Sequence, residues 1–188
     1  LEEYPQLFEG MGCLKGRKIK LHINKSIQPT ARRHRRLTFY LRPTVEKELV
    51  YLEHLGVIEK VTGPTPWVSL LDIAPKPKQP GAIRLCVDMR LPNTAVHRER
   101  HIMPTIDEIV TDLNGARWFS KFDLNSGCHQ LERDEASWYI TTFSTHIGLR
   151  RYRRLNFGIS SAAEVFQEAI RETLPGLVEV LNVSDDIL

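Results

Sequence analysis

Three aspartates in this 188-residue chain have the residue type and spacing needed for metal-dependent chemistry. Asp123 ends the strand-like run ARWFSKFD, and Asp185 and Asp186 follow the apolar run LVEVLNV much later in the chain. Neighbouring carboxylates repel each other and are costly to bury without a cation, so an exposed turn is the simpler interpretation of the pair. If the two strands are neighbours in one sheet, however, the three carboxylates meet at its edge. There they favour Mg²⁺ or Mn²⁺, which prefer oxygen ligands.

Such a site would carry out phosphoryl transfer. Two divalent ions about 3.5–4 Å apart activate an attacking hydroxyl and stabilise the leaving oxygen. This reaction needs positioning and charge neutralisation more than a protein nucleophile. Polymerases and some nucleases share the pattern of one aspartate followed well downstream by an aspartate pair, so the carboxylates alone leave both open.

The elements that must position these aspartates mix helices and strands without a regular alternation. RPTVEKELVYLEHLG predicts a helix that Gly56 ends, because its apolar residues recur at helical spacing. Two further helices are predicted after Thr105 and after Ser161, since Glu108 and Glu164 complete capping boxes with these residues. Strands are predicted in VIEKV, on both sides of the turn PKPKQPG, in ARWFSKFD, in a hairpin around HIG and in LVEVLNV. The pattern indicates an α+β fold.

Charge is distributed unevenly along the chain. Residues 1–100 contain 18 Lys and Arg against 10 Asp and Glu, whereas residues 101–188 contain 8 against 13. This division suits a front half that binds a polyanion and a back half that holds cations, although chance asymmetry between solvated faces explains it equally well. Three widely spaced cysteines fit neither a zinc nor a disulfide framework and indicate a reducing, intracellular compartment. No apolar run has the length of a membrane span.

Three segments, FSKFDLNSGCHQLERDE, YITTFSTHIGLRRYRRLNFGISSAAEVFQ and VLNVSDDIL, resemble the reverse transcriptase of gypsy-type LTR retrotransposon Pol polyproteins. The resemblance continues upstream through IRLCVDMRLPNTAV and YPQLFEGMGCLKG and covers essentially the whole chain in order. It implies the fingers and part of the palm of a right-hand polymerase over residues 42–188. Residues 1–41, with the basic run ARRHRR, would be an extended lead-in like the segment between protease and polymerase.

The resemblance also implies roles for individual residues. Asp123 and Asp185 would bind two Mg²⁺ or Mn²⁺ ions together with the Leu124 carbonyl, and Asp186 would assist. Among the basic residues, Arg84 and either Lys76 or Lys78 would bind the incoming triphosphate, although each fits a solvent-exposed strand or turn charge as well.

Two further positions would contact the nucleotide. The Phe157-Gly158 motif would let the backbone approach the nucleotide and template closely, because glycine has no side chain. Cys128 takes the place of the aromatic ring that lies under the incoming sugar and excludes a 2′-hydroxyl, so weaker discrimination against ribonucleotides is expected.

The chain departs from the family pattern at several other positions. Val183 and Ser184 precede the aspartate pair where the family usually has an aromatic two residues before it. Asn156 and Ala163 replace prolines common around Gly158. Because two residues follow Asp186, we expect the second strand of the hairpin to be missing and the carboxylates to be poorly positioned.

The resemblance implies an RNA-directed DNA polymerase that extends a primer 3′-hydroxyl, using dNTPs and an RNA or DNA template. The rest of the Pol polyprotein would be a partner, and the location would be intracellular, in a cytoplasmic particle or the nucleus, with no membrane association. Three alternatives remain: a non-catalytic nucleic-acid-binding remnant, a decayed copy that does not fold, and a two-metal nuclease, which the surrounding motifs disfavour.

Overall fold

The computed structural model describes residues 3–77, 79–177 and 179–188. Within these residues the chain forms four α-helices: α1 (Arg42–His54), α2 (Arg90–Ala95), α3 (Ile106–Asp112) and α4 (Ala162–Thr173). Short 3₁₀ turns occupy Pro5–Leu7, Phe39–Leu41, Gly127–Gln130 and Glu135–Thr141. The strands are β1 (Lys18–Ile19), β2 (Ile58–Lys60), β3 (Leu71–Pro75), β4 (Ile83–Val87), β5 (Phe122–Asp123), β6 (Glu132–Arg133), β7 (Phe143–Thr145), β8 (Gly148–Tyr152), β9 (Asn182–Val183) and β10 (Asp186–Ile187).

The strands form small sheets that are mostly antiparallel. The order β2-β8-β7 forms one antiparallel sheet, and β3 and β4 form a hairpin in which Ala74 lies opposite Arg84. A third antiparallel sheet has the order β5-β10-β9, and β1 pairs in parallel with β6. The sheet of β5, β10 and β9 carries Asp123 and Asp186 on its strands and Asp185 in the turn between β9 and β10.

Two helices bury the faces that the sequence predicts. Helix α1 has Pro43 in its first turn, buries Val45 and Leu49, and ends before Gly56, whose φ of +66° suits glycine. Helix α4 buries Val165, Phe166, Ala169 and Ile170 against the core. Burying Val165, Phe166 and Ile170 contributes about 1.5–3 kcal/mol each, which fixes α4 beside the aspartate-bearing sheet.

Of the two predicted capping boxes, the one at α3 forms and the one at α4 does not. At α3, Thr105 and Glu108 form the capping box, with the Thr105 backbone N–H donating to Glu108 at 2.7 Å. At α4, the Ser161 side chain makes no capping hydrogen bond, and Glu164 pairs instead with Arg98. The second capping box is therefore wrong, because an ion pair with a distant arginine takes the carboxylate.

Two predicted strands are much shorter in the structure. The prediction of a buried strand over residues 116–123 is wrong, since only Phe122–Asp123 pairs and Trp118 is 93% exposed. Of the predicted strand over residues 177–183, Asn182–Val183 forms β9, and Val178 lies outside the described residues. Both segments contain apolar side chains, but few of these side chains pack against the described core.

The lead-in runs along three parts of the fold in extended conformation. Strand β1 contacts β6, Ile23 bridges Val96, and Ala31 bridges Val68 in parallel. Ile19 and Leu21 are buried, so this segment contributes to the core. No helix among the described residues combines the length and apolar character that crossing a membrane requires.

Candidate active site

The three aspartates come together on the sheet of β5, β10 and β9. Asp186 of β10 lies directly opposite Asp123 of β5, so both project from the same face of the sheet. Asp185 occupies the turn between β9 and β10, and its carbonyl accepts a hydrogen bond from the Leu124 N–H at 2.8 Å. The sheet therefore places at one edge the carboxylates that are far apart in the sequence.

The expectation that the second hairpin strand is missing is wrong. Asp186 and Ile187 pair with β9 on one side and with β5 on the other. Leu181 and Leu188 exchange backbone hydrogen bonds of 3.0 and 2.8 Å, which closes the hairpin. Backbone pairing needs few residues when both edges of a strand are occupied, so the short segment after the aspartates is enough.

The carboxylates repel one another electrostatically. The pKa of Asp185 is raised, mainly because partial burial disfavours its charge and also because Asp123 is nearby, while a hydrogen bond from Ser184 acts in the opposite direction. Lys121 places its Nζ 2.7 Å from the Asp186 Oδ2, and this bond raises the lysine pKa. The three carboxylates thus carry more negative charge than the Lys121 ammonium neutralises.

The carboxylates are not arranged as a preformed metal centre. Within residues 3–77, 79–177 and 179–188, no three His, Cys, Asp or Glu side chains converge as a metal site. The Leu124 carbonyl already accepts a hydrogen bond from the Gly127 N–H at 3.1 Å, which leaves its second lone pair for another partner.

A buried glutamine holds the turn that carries Asp185. Gln167, on α4, donates its amide to the Asn182 carbonyl at 2.8 Å and accepts a hydrogen bond from the Ser184 N–H at 2.7 Å. Ser184 has a φ of +53°, a left-handed conformation that is uncommon for serine. Gln167 therefore ties the end of β9 and the first residue of the strained turn to a helix packed in the core.

The 3₁₀ turn after β5 packs beneath Asp185. A Cβ on Gly127 would lie 2.7 Å from the Phe166 ring and 3.1 Å from an Asp185 carboxylate oxygen. Cys128 is only 4% exposed, and burial together with the Asp185 charge raises the pKa of its thiol to about 12. The residue predicted to lie under the sugar is therefore a buried neutral thiol beside a site aspartate.

The predicted nucleotide motif is held by a second amide side chain. Asn93 donates to the Gly158 carbonyl at 2.7 Å and accepts from the Ser160 N–H at 3.0 Å. Gly158 has a φ of +94°, and a Cβ there would lie 3.3 Å from the Met89 side chain. Both the backbone conformation and the close approach require glycine at this position.

An aromatic ring stands exposed beside this glycine. Phe157 is 56% exposed and contacts the His129 ring edge-on, with 6.0 Å between ring centroids. Burial lowers the pKa of His129 to about 4, and Arg154 adds to the shift, so the imidazole is neutral at physiological pH. Phe157 thus presents an apolar ring face to solvent, and the His129 ring that it contacts is uncharged.

The predicted triphosphate ligands lie on the β3–β4 hairpin. Arg84 is exposed on β4, and Lys76 is half-buried in the turn, where its N–H donates to the Ala82 carbonyl at 2.9 Å. Among the described residues, neither side chain has an acidic partner, and neither contacts the three aspartates. Lys78 lies outside the described residues.

Comparison with known proteins shows which sequences this chain resembles. No family model matches the chain. It is 30% identical over 189 residues to the uncharacterized protein K02A2.6 of Caenorhabditis elegans, covering 99% of this chain and 15% of that protein. It is 36% identical over 91 residues to the retrovirus-related Pol polyprotein from transposon gypsy of Drosophila melanogaster, covering 48% of this chain and 9% of the polyprotein.

A solved structure has the same fold. The foamy viral protease–reverse transcriptase in complex with an RNA/DNA hybrid matches with a TM-score of 0.86 and 21% identity, over 100% of this chain and 25% of that chain. The chain is similar in sequence to a gypsy-type Pol polyprotein and has the fold of a reverse transcriptase. It spans less than a fifth of the length of each of these two relatives. The predicted α+β reverse transcriptase fold is confirmed.

Sequence reasoning missed several residues that support the three aspartates. Gln167 and Asn93 act through partners that are distant in sequence, and Lys121 pairs across the sheet with Asp186. The available signal for Gln167 is weak: it is a buried polar residue next to the apolar stripe of α4. Gly127 has an ordinary backbone conformation, so only its neighbours in the fold show why a larger residue does not fit.

Proposed function

We propose that this chain carries the nucleotidyl transfer centre of an RNA-directed DNA polymerase. The observation that supports this most directly is the in-register pairing of Asp186 with Asp123, with Asp185 in the adjoining turn. The fold match to a reverse transcriptase solved with an RNA/DNA hybrid supports an RNA or DNA template with a primer as the substrate, together with dNTPs. The rest of a Pol polyprotein would supply further nucleic-acid contacts.

The donor set fits two Mg²⁺ or Mn²⁺ ions. Asp123, Asp185 and Asp186 supply hard oxygen ligands, and their mutual repulsion, seen in the raised pKa of Asp185, would be relieved by cations. Asp123, Asp185 and the Leu124 carbonyl would hold the ions. When bound, such ions supply charge neutralisation and activation of the primer hydroxyl.

Other residues of the chain would bind and orient the nucleotide. Arg84 and Lys76 carry positive charge on the β3–β4 hairpin and would bind the triphosphate, a role in which the planar guanidinium offers paired hydrogen bonds. Because Gly158 has no side chain, the nucleotide and template would approach its backbone closely, and the hydrogen bond from Asn93 would hold the loop in place.

Cys128 would leave room under the sugar, since its side chain is small and buried. We expect Cys128→Tyr to increase discrimination against rNTPs relative to the parent chain, measured as the ratio of single-nucleotide incorporation rates. Equal selectivity would contradict the role given to this position. A parallel melt is needed, because a ring at a buried site overpacks and typically costs about 1–3 kcal/mol.

The function is tested by extension of a labelled DNA primer on an RNA template with Mg²⁺ and dNTPs. The parent chain is expected to extend the primer, and Asp123→Asn is expected to abolish extension while leaving the fold intact. The matched control is Asp112→Asn, which changes an exposed aspartate on α3. Primer shortening in place of extension would instead indicate a nuclease.

One observation favours a second candidate, a non-catalytic nucleic-acid-binding protein. The Lys121 ammonium already neutralises Asp186, as a cation would in a site that no longer binds metal. In that case RNA binding would be salt-dependent, unaffected by Asp123→Asn, and unaccompanied by extension.

A further inference from the structure

The last part of the lead-in has an unusual combination of exposed charge and exposed aromatic rings. Residues 32–42, here called the basic–aromatic segment, contain five arginines, one histidine and no acidic residue. Residues 32–36 are all exposed, and Phe39 and Tyr40 are 80% and 79% exposed. Two neighbouring aromatics so open to water indicate a surface that another molecule covers.

Backbone hydrogen bonds and an ion pair hold the segment against the rest of the fold. The Arg32 N–H donates to the Val68 carbonyl at 2.9 Å, and the Val68 N–H donates to the Thr30 carbonyl at 3.0 Å. Farther along, Arg35 forms an ion pair with Asp72 of β3. Binding to a segment already held in place requires less ordering than binding to a free tail.

The aromatic end of the segment is also fixed. Phe39–Leu41 forms a 3₁₀ turn that leads directly into α1. The Arg42 guanidinium lies 4.0 Å from the centroid of the Phe39 ring, a cation–π contact. This contact supports Phe39 while both aromatic rings remain open to solvent.

Only part of the positive charge is used within the fold. Arg35 pairs with Asp72, and the charge of Arg32 acts on Asp88, whose pKa is lowered to about 2 chiefly by its bonds with Arg90. Among the described residues, Arg33 and Arg36 have no acidic partner. Arg36 also lines a cleft of about 210 Å³, whose other walls include Arg35, Asp72 and the apolar residues Leu37 and Ile73.

We propose that the basic–aromatic segment binds the unpaired template strand, with phosphates on Arg33 and Arg36 and bases stacked on Phe39 and Tyr40. Proteins that bind single strands without sequence preference combine these two features, a cationic track and aromatic stacking platforms. The proposal rests on the proposed polymerase function for the identity of the strand. Its physical basis, charge and stacking, does not depend on catalysis.

The position of the segment relative to the site fits this role. Arg32 lies near Asp88, and the next residue, Met89, packs against Gly158 of the proposed nucleotide loop. The segment therefore starts beside the residues that support this loop. Along the chain Arg33 and Arg36 come next and Phe39 and Tyr40 follow, so a template strand that tracks the segment from the loop would meet the arginines first and the aromatic rings after them.

The test is fluorescence anisotropy with a labelled uridine homopolymer, in EDTA and over a range of salt concentrations, using the full chain. The double variant Arg33→Gln/Arg36→Gln is expected to reduce the slope of log affinity against log salt by about 1.4, because each phosphate contact on a single strand contributes about 0.7. Phe39→Ala/Tyr40→Ala is expected to weaken binding roughly tenfold or more with little change in slope, since it removes stacking.

The matched control is Lys18→Gln/Lys20→Gln, which removes two exposed cations elsewhere in the lead-in and should leave affinity nearly unchanged. Circular dichroism melts verify that each variant folds. Parental affinity and slope in both segment variants would overturn the proposal, as would an equal loss in the lysine control. So would an equal loss for blunt duplex RNA, or binding of phosphatidylserine vesicles in place of RNA.

A second readout separates this proposal from the polymerase proposal. On a template with a single-nucleotide overhang, the segment variants should extend the primer like the parent, and on a long overhang they should show a raised KM for the template. If the parent extends neither substrate, the polymerase proposal fails while the anisotropy result still decides the role of the segment.

Discussion

Replacing Gln167 by methionine isolates the hydrogen bonds that hold the aspartate turn. Methionine has nearly the same length as glutamine and fills the same space on α4, but it neither donates to the Asn182 carbonyl nor accepts from the Ser184 N–H. The helix keeps its packing, and the turn loses its two connections to the helix.

The size of the effect follows from these two bonds. Each contributes about 0.5–1.5 kcal/mol net, and a backbone group left unpaired costs more when it is fully buried. Asn182 and Ser184 are half-buried, so water replaces part of what is lost. We therefore expect Gln167→Met to lower the free energy of unfolding by about 1–3 kcal/mol. For a domain of this size that is a decrease in Tm of about 2–12 °C.

The effect on activity should exceed the effect on stability. Asp185 lies next to Ser184, so a turn that shifts by about one ångström moves a carboxylate of the site and can lower kcat about 100-fold. Urea unfolding and single-turnover primer extension measure the two effects on the same protein. Gln28→Met is the matched control, since Gln28 is exposed in the lead-in.

One pattern of results would refute this reasoning. If Gln167→Met unfolds within about 0.5 kcal/mol of the parent, the range of ordinary surface substitutions, and extends primers at the parental rate, then Gln167 does not position the turn. A stability loss without any change in kcat would restrict its role to the fold.

Three further predictions concern the same site. Because the pKa of Asp185 is raised in the folded chain, the metal-free fold binds this proton more tightly than the unfolded chain does and loses stability as the pH rises through that pKa. Asp185→Asn should therefore raise the free energy of unfolding at neutral pH without metal while abolishing extension; an unchanged or lower value would contradict the repulsion described above. Gly158→Ala should destabilise the fold more than Gly63→Ala. Both glycines have φ near +90°, but only at Gly158 would the new methyl group contact a neighbour, the Met89 side chain. Equal decreases in Tm for the two variants would contradict this close approach. An alkylating reagent should label exposed Cys13 in the native chain and Cys128 only after unfolding, as mass spectrometry would show; native labelling of Cys128 would disprove its burial.

The sequence predicted the elements whose signal is local. Helical spacing located α1 and α4, and the Thr105 capping box located the start of α3, because these patterns depend on residues within two turns of each other. The β3–β4 hairpin was equally accessible, since its Pro and Gly residues lie in the turn itself. The meeting of the aspartates was expected only on the condition that the strands before Asp123 and before Asp185 are neighbours; in the structure β10, which follows Asp185, lies between them and pairs with β5.

Features that depend on distant partners could not be predicted. Glu164 has the spacing of a capping residue, but Arg98 binds it in the fold. Trp118 and Phe119 suggest a buried strand, yet nothing in the local sequence shows that both side chains are exposed in the fold. The aspartate hairpin closes with two residues after Asp186 because β5 pairs with its outer edge, which no local rule describes.

The shortness of β5, β9 and β10 has a consequence for motion. Each strand has two residues, so few backbone hydrogen bonds protect this sheet, whereas β3 pairs with β4 over five residues. Amide protons of the aspartate sheet should therefore exchange with solvent through local opening, at a lower free energy than those of β3 and β4. A ligand that binds only the closed sheet at 100 times its Kd would raise that opening energy by about 2.7 kcal/mol. Hydrogen exchange at Asp186 and Ile187 would then report ligand binding directly, even in a variant that performs no chemistry.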